Sequence, residues 1–169
     1  MKKILTLFAV VGLFTFSGCT NDVDNDTISE VYEVSNVNFT AANDYNPIIR
    51  LNPAILPSDM VVLYRLAGVD NGQDVWKMTP ELYYLPNGTL DFGYNFNFTR
   101  NDVSVYMDGN NLGDVLGTYR LNQIFRIVII PGFVTNGTAK SVNKADFSDY
   151  KAVIAKYNID DTNIKRIKL

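Results

Sequence analysis

The sequence predicts a mainly β fold: an antiparallel β-sandwich-like domain with one short C-terminal helix and a final strand. Three observations predict it. Leu90, Phe92, Tyr94, Phe96 and Phe98 alternate with Asp91, Gly93, Asn95, Asn97 and Thr99, which is the period of a strand with one wet face. The runs Met60–Leu66 and Ile124–Ile130 are apolar on both faces, as in strands covered on two sides. Turn signals recur at short intervals between such runs: Asp70-Asn71-Gly72, Pro86-Asn87-Gly88, Asp108-Gly109-Asn110-Asn111 and Pro131-Gly132.

Taken in chain order, the first predicted strand is Val31–Phe39. Tyr32 and Val34 alternate first, then Val37 and Phe39, so the strand changes face midway and a bulge is expected. Ile48–Leu51 is a short strand. Met60–Leu66 is central, and its lone Arg65 is expected to snorkel or pair with a carboxylate. Asp74–Met78 follows the turn at Asn71-Gly72, and Glu81–Leu85 forms a hairpin with the aromatic strand after Pro86-Asn87-Gly88. Val103–Met107 precedes the next turn. Ile124–Ile130 is the second central strand, with Arg126 in the same position as Arg65. Ser148 is placed to cap a helix from Asp149 to about Tyr157, with Phe147, Tyr150, Val153, Ile154 and Tyr157 on one stripe. That helix is expected over an end or edge of the sandwich. Asn163–Leu169 fits a last strand or packed tail with its basic residues wet.

The N-terminal stretch reads differently. Lys2 and Lys3 precede an apolar run from Ile4 to Phe16, too short for the about 20 residues of a spanning helix but right for a signal peptide. Ser17 and Gly18 are small, and Cys19 is the only cysteine in the chain. Phe16-Ser17-Gly18-Cys19 resembles the lipobox of bacterial lipoproteins, with Phe16 where Leu is preferred. The resemblance implies cleavage before Cys19 and lipidation of its sulfur. Several acyl chains anchor stably, since each buried CH₂ contributes about 0.8 kcal/mol and one chain is marginal. The organisation expected is a signal peptide over 1–18, an acidic flexible tether over 19–28 and one β-rich domain over 29–169.

Asp22, Asp24 and Asp26 make the tether acidic, a run that resembles the export signal of surface-exposed lipoproteins in the Bacteroidota. Asp26-Thr27-Ile28 is similar to the short O-glycosylation motif of that phylum, which implies a glycan on Thr27. The order of pieces, with the segment Gln123–Gly132, resembles small Flavobacterium-type outer-membrane lipoproteins with a compact β-rich domain. The resemblance implies localisation at the outer membrane, lipid-anchored and surface-exposed.

Composition excludes several chemistries. Histidine is absent, which removes Ser-His-Asp and Cys-His catalysis and histidine metal sites. One cysteine and no Gly-x-Gly-x-x-Gly leave no dithiol–flavin chemistry. The formal charge is −3, and −5 without Lys2 and Lys3, which argues against nucleic acid. Asp22–Asp26 has alternating acids, with Glu33 at the twelfth position of a calcium loop, but Thr27 stands where glycine is required. Asp70, Asp74 and Glu81 flank one predicted hairpin and read as turn and edge acids.

No catalytic residue, metal ligand or cofactor is therefore expected. The function expected is a lipid-anchored cell-envelope lipoprotein acting as a non-catalytic binding or interaction module. Its partners would be the membrane, through Cys19, and an envelope protein or a glycan. Asp91, Asn95 and Asn97, with Tyr83, Tyr84 or Trp76 nearby, form the candidate glycan face, and burial of Trp76 would argue for packing instead. The alternative is a carboxylate-dependent hydrolase acting on envelope or extracellular glycans, which needs two acids roughly 5–10 Å apart in a cleft.

Overall fold

The computed structural model describes residues 29–132 and 147–169. Cys19, Thr27 and the acidic run Asp22–Asp26 lie outside these residues.

The strands are β1 (Glu30–Val37), β2 (Ile48–Arg50), β3 (Met60–Asp70), β4 (Gln73–Met78), β5 (Glu81–Tyr84), β6 (Leu90–Phe98), β7 (Asp102–Gly109), β8 (Gln123–Ile130) and β9 (Lys165–Lys168). A single helical turn, α1 (Gly117–Arg120), precedes β8, and α2 (Tyr150–Lys156) precedes β9. The strands form a five-stranded sheet in the order β4-β3-β8-β1-β9 and a four-stranded sheet in the order β2-β7-β6-β5. All pairs are antiparallel except β1 with β9, which run parallel. The fold class expected from the sequence is the one observed.

The two doubly apolar runs are β3 and β8, and they are neighbours in the five-stranded sheet. Their alternate residues serve two cores. Val61, Leu63, Ile127 and Ile129 face the other sheet, where they meet Phe39, Ile49, Tyr94, Val103 and Val105. Val62, Tyr64, Val128 and Ile130 face outward, beneath Phe147, Tyr150, Val153 and Ile159. Helix α2 thus covers a sheet face rather than an end or edge. The reason is the apolar outward row: it must be buried, and the amphipathic stripe of α2 is what buries it.

The bulge expected in the first strand is present. Val34 pairs with Phe125 and Val37 with Gln123, so β1 carries an extra residue there, and Asn36 adopts a left-handed conformation (φ 60°). The bulge returns Val37 and Phe39 to the core that holds Tyr32 and Val34. The cap of α2 falls one residue later than expected. The Asp149 carboxylate accepts from the amides of Lys151 (2.9 Å) and Ala152 (3.2 Å), satisfying two of the helix's orphan donors.

Along β6 the aromatic face is core only at its start. Phe92 and Tyr94 are buried and Phe96 is half-buried. Phe98, beside the turn into β7, is 40% exposed. At the far edge, β9 leaves its basic residues exposed, and two of them pair with β1: Lys165 with Glu30 (2.6 Å) and Arg166 with Glu33 (3.6 Å).

Candidate functional site

Arg65 has the same strand parity as Leu63, so it points into the sandwich, and it is 5% exposed. A buried guanidinium needs a partner, and the facing sheet supplies one. Its Nε donates to Glu81 Oε2 (2.8 Å) and its Nη2 to Glu81 Oε1 (3.1 Å), a bidentate pair. Nη2 also donates to the Tyr83 hydroxyl (2.8 Å), and Nη1 to the Gln123 side-chain oxygen (3.2 Å). The Tyr83 hydroxyl donates to Glu81 Oε1 (2.7 Å). Lys77 adds a second cation 3.3 Å from that carboxylate, and the guanidinium lies 4.7 Å from the Tyr94 ring centre.

Burial pushes the Glu81 carboxyl up, but the Arg65 and Tyr83 hydrogen bonds outweigh it and hold it below its ordinary value. Burial, then the hydrogen bond to Glu81, pushes the Tyr83 phenol up to about 12. This arrangement ties the two sheets together. It also corrects the expectation for Glu81: the residue is buried and ion-paired, not a turn acid, and it is separated in role from the exposed Asp70 and Asp74. Reading parity across sheets could have found it, because an inward Arg demands an inward carboxylate.

Arg126 resolves similarly on the outer side. Its Nε and Nη2 donate to Glu33 Oε2 (3.1 and 3.0 Å), and its Nη1 to the Tyr150 hydroxyl (2.9 Å). That hydroxyl donates to Asp161 (3.2 Å). The guanidinium lies 4.1 Å from the Trp76 ring centre, and Trp76 packs on Tyr150 at 5.9 Å. The cluster pins α2 to the sheet. It places half-buried Trp76 on the opposite side of the molecule from Asn95 and Asn97, so Trp76 is no part of a glycan face with them. Glu33, the last ligand position of the calcium-like run, is held by Arg126. Among the described residues no group of three or more ligating side chains could hold a metal.

The outer face of the four-stranded sheet is different. Gly93, Asn95 and Asn97 on β6 pair across β7 with Asp108, Tyr106 and Ser104. Leu82 lies over Gly93, where a Cβ would meet Leu82 Cδ2 at 2.6 Å. Leu82 is 49% exposed and Tyr84 60%. Tyr83, by contrast, turns inward and stacks on Phe92 with ring centres 4.5 Å apart. Of the aromatics expected on this face, Tyr84 is present and Tyr83 and Trp76 are not.

A cleft of about 330 Å³ opens at one end of this sheet. Here β5 and β6 slip: Tyr83 pairs with Phe92 and Tyr84 with Leu90, leaving Asp91 as the extra residue. Asp91 borders the cleft with Asn111, Asp114, Leu116 and Tyr119, above a floor of Phe92. The Asn111 amide donates to the Asp114 carboxylate, and the Asp114 amide to the Asn111 carbonyl (3.1 Å). The Tyr94 hydroxyl donates to the Tyr119 carbonyl (2.6 Å), and the Tyr119 ring packs on Phe92 (5.1 Å) and Tyr83 (5.3 Å). Asp91 is the one expected face residue in this cleft; Trp76 borders a second, of about 340 Å³, with Asp70, Asp74 and Tyr150 on the roofed side. Asn111 was visible in the sequence only as part of a turn, and nothing local in Asp114–Tyr119 marked it.

No family model matches the chain, and no curated protein or solved structure matches it.

Proposed function

We propose that the chain is a lipid-anchored lipoprotein of the cell envelope, displayed at the outer-membrane surface and working as a non-catalytic binding module. The sequence Phe16-Ser17-Gly18-Cys19 behind a basic and apolar leader supports the anchor, and its likeness to Flavobacterium-type lipoproteins supports the location. One observation supports binding over catalysis. The buried charges Arg65 and Glu81 neutralise each other, while the four-stranded sheet exposes Leu82, Tyr84 and an adjoining cleft to solvent. Such a face offers contact area for a partner.

Intact mass of the membrane-extracted protein, wild type beside Cys19→Ala, tests the anchor, and protease shaving of whole cells tests the location. An acylated chain removed by shaving is the expected result. An unmodified chain beginning elsewhere overturns the anchor, and an acylated but protected chain overturns surface display.

A second reading, a carboxylate-dependent glycan hydrolase, draws support from Asp91 and Asp114 bordering one cleft. It predicts release of reducing sugar that Asp91→Asn and Asp114→Asn both abolish. Binding without release sinks it.

A further inference from the structure

We infer that the cleft between Asp91, Asn111, Asp114 and Tyr119 binds a neutral sugar unit. The inference rests on the binding-module reading and names the ligand class for its cleft. The volume, about 330 Å³, lies at the small end of ligand pockets, which suits one or two rings and not a long chain.

The chemistry of the lining is divided as a sugar is divided. A pyranose has an apolar face of C–H groups and an equator of hydroxyls. Tyr119, half-buried, and Leu116, 68% exposed, offer an apolar surface to the first. Asp91 and Asp114 are acceptors for the second, and hydrogen bonds to ionised acceptors are the stronger kind. The Asn111 amide orients the Asp114 carboxylate. Among the described residues no basic one lines the cleft, so carboxylated or sulfated sugars meet only like charge there. An ammonium group would pair with the same two carboxylates but would leave the apolar surface of Leu116 and Tyr119 unused.

The cleft is also pre-formed. Tyr119 N–H donates to the Leu116 carbonyl (2.9 Å), Leu121 N–H to Gly117 (2.7 Å), and Arg120 Nε to Val115 (2.6 Å). Together with the Tyr94 bond to Tyr119, these fix the 111–121 loop before a ligand arrives, so little ordering entropy opposes binding.

The test uses the lipidated full chain, extracted in detergent, on immobilised neutral and acidic oligosaccharides. Methyl glucoside, methyl galactoside and methyl mannoside serve as soluble competitors. Retention on neutral glycans is expected, at least tenfold weaker in Asp114→Ala and in Asp91→Asn, with both variants melting as wild type does. Val69→Ala, exposed on β3 of the other sheet, should bind as wild type. Four results overturn the inference: no neutral glycan retained, equal binding by both carboxylate variants, stronger retention on acidic glycans, or capture by lysine-rich peptides in place of sugars. If the same preparation is acylated and surface-displayed yet retains no sugar, the sugar assignment fails while the envelope reading stands.

Discussion

The two outer faces of the sandwich were built to opposite ends. On the five-stranded sheet the outward row is Val31, Val62, Tyr64, Val128 and Ile130, and α2 roofs it. On the four-stranded sheet the outward row includes Asn95, Asn97 and Ser104, half-buried or exposed, and no helix roofs it among the described residues. The difference lies in which parity of each strand is apolar. Where both parities are apolar, a third layer is required. Where one is polar, the sheet can stop there and present hydroxyls, amides and isolated aromatics outward. Stability is concentrated in the roofed half and the inter-sheet core, which leaves the open face free to vary for contact.

The largest expected effect breaks both halves at once. Glu81→Ala strands a buried Arg65 between the sheets and should cost about 4 kcal/mol, read as a lower denaturation midpoint. The same network makes stability pH-dependent in a defined sense. Glu81 is held below its ordinary value of 4.5, so its contribution is present above that pH and lost as acid protonates it. Tyr83 is raised from 10.0 to about 12, so its contribution is present below pH 10 and lost as the phenol ionises beside Glu81. Thermal melts from pH 3 to pH 12, wild type against Glu81→Gln, should show both limbs flatten in the variant.

Next comes the roof alone. Tyr150→Ala removes a buried ring and the hydroxyl between Arg126 and Asp161, at about 3 kcal/mol. Native-state hydrogen exchange should then rise in α2 and in the β3 and β8 strands it covers, with β6 and β7 unchanged. Uniform loss across both sheets would mean the halves are not separable. Asp149→Ala strips the helix cap for about 1 kcal/mol, restored in large part by Asp149→Ser. The smallest effect sharpens the contrast: Leu82→Ser and Tyr84→Ser should each change stability by under about 0.5 kcal/mol. A loss as large as that of Tyr150→Ala would show the open face to be core.

Much of this was legible locally. The alternation in Leu90–Phe98 marks a half-wet strand, and the double apolarity of Met60–Leu66 and Ile124–Ile130 marks strands needing two covers. The change of parity in Val31–Phe39 announces its bulge. What was missed is long-range. The cover for β3 and β8 is supplied by α2, some 80 residues beyond β3, and period alone does not say which face it takes. Arg65 and Glu81 are 16 residues apart and meet only because their strands lie in opposite sheets. Trp76 looked like a partner for Asn95 and Asn97, but strand order puts it on the roofed side, over Arg126. The cleft was the least legible feature, because it joins a one-residue slip at Asp91 to a loop with no periodicity.

Hydroxyl-radical footprinting, read by mass spectrometry on the purified lipidated chain and on the same chain at the cell surface, tests the contrast between faces most directly. In the purified chain Leu82, Tyr84 and Leu116 should label strongly and Tyr64 and Tyr150 weakly. On cells the first three should become protected while the roofed pair is unchanged. Protection of Leu82 and Tyr84 already in the purified chain, or protection on cells confined to the side of Trp76 and α2, would contradict the account.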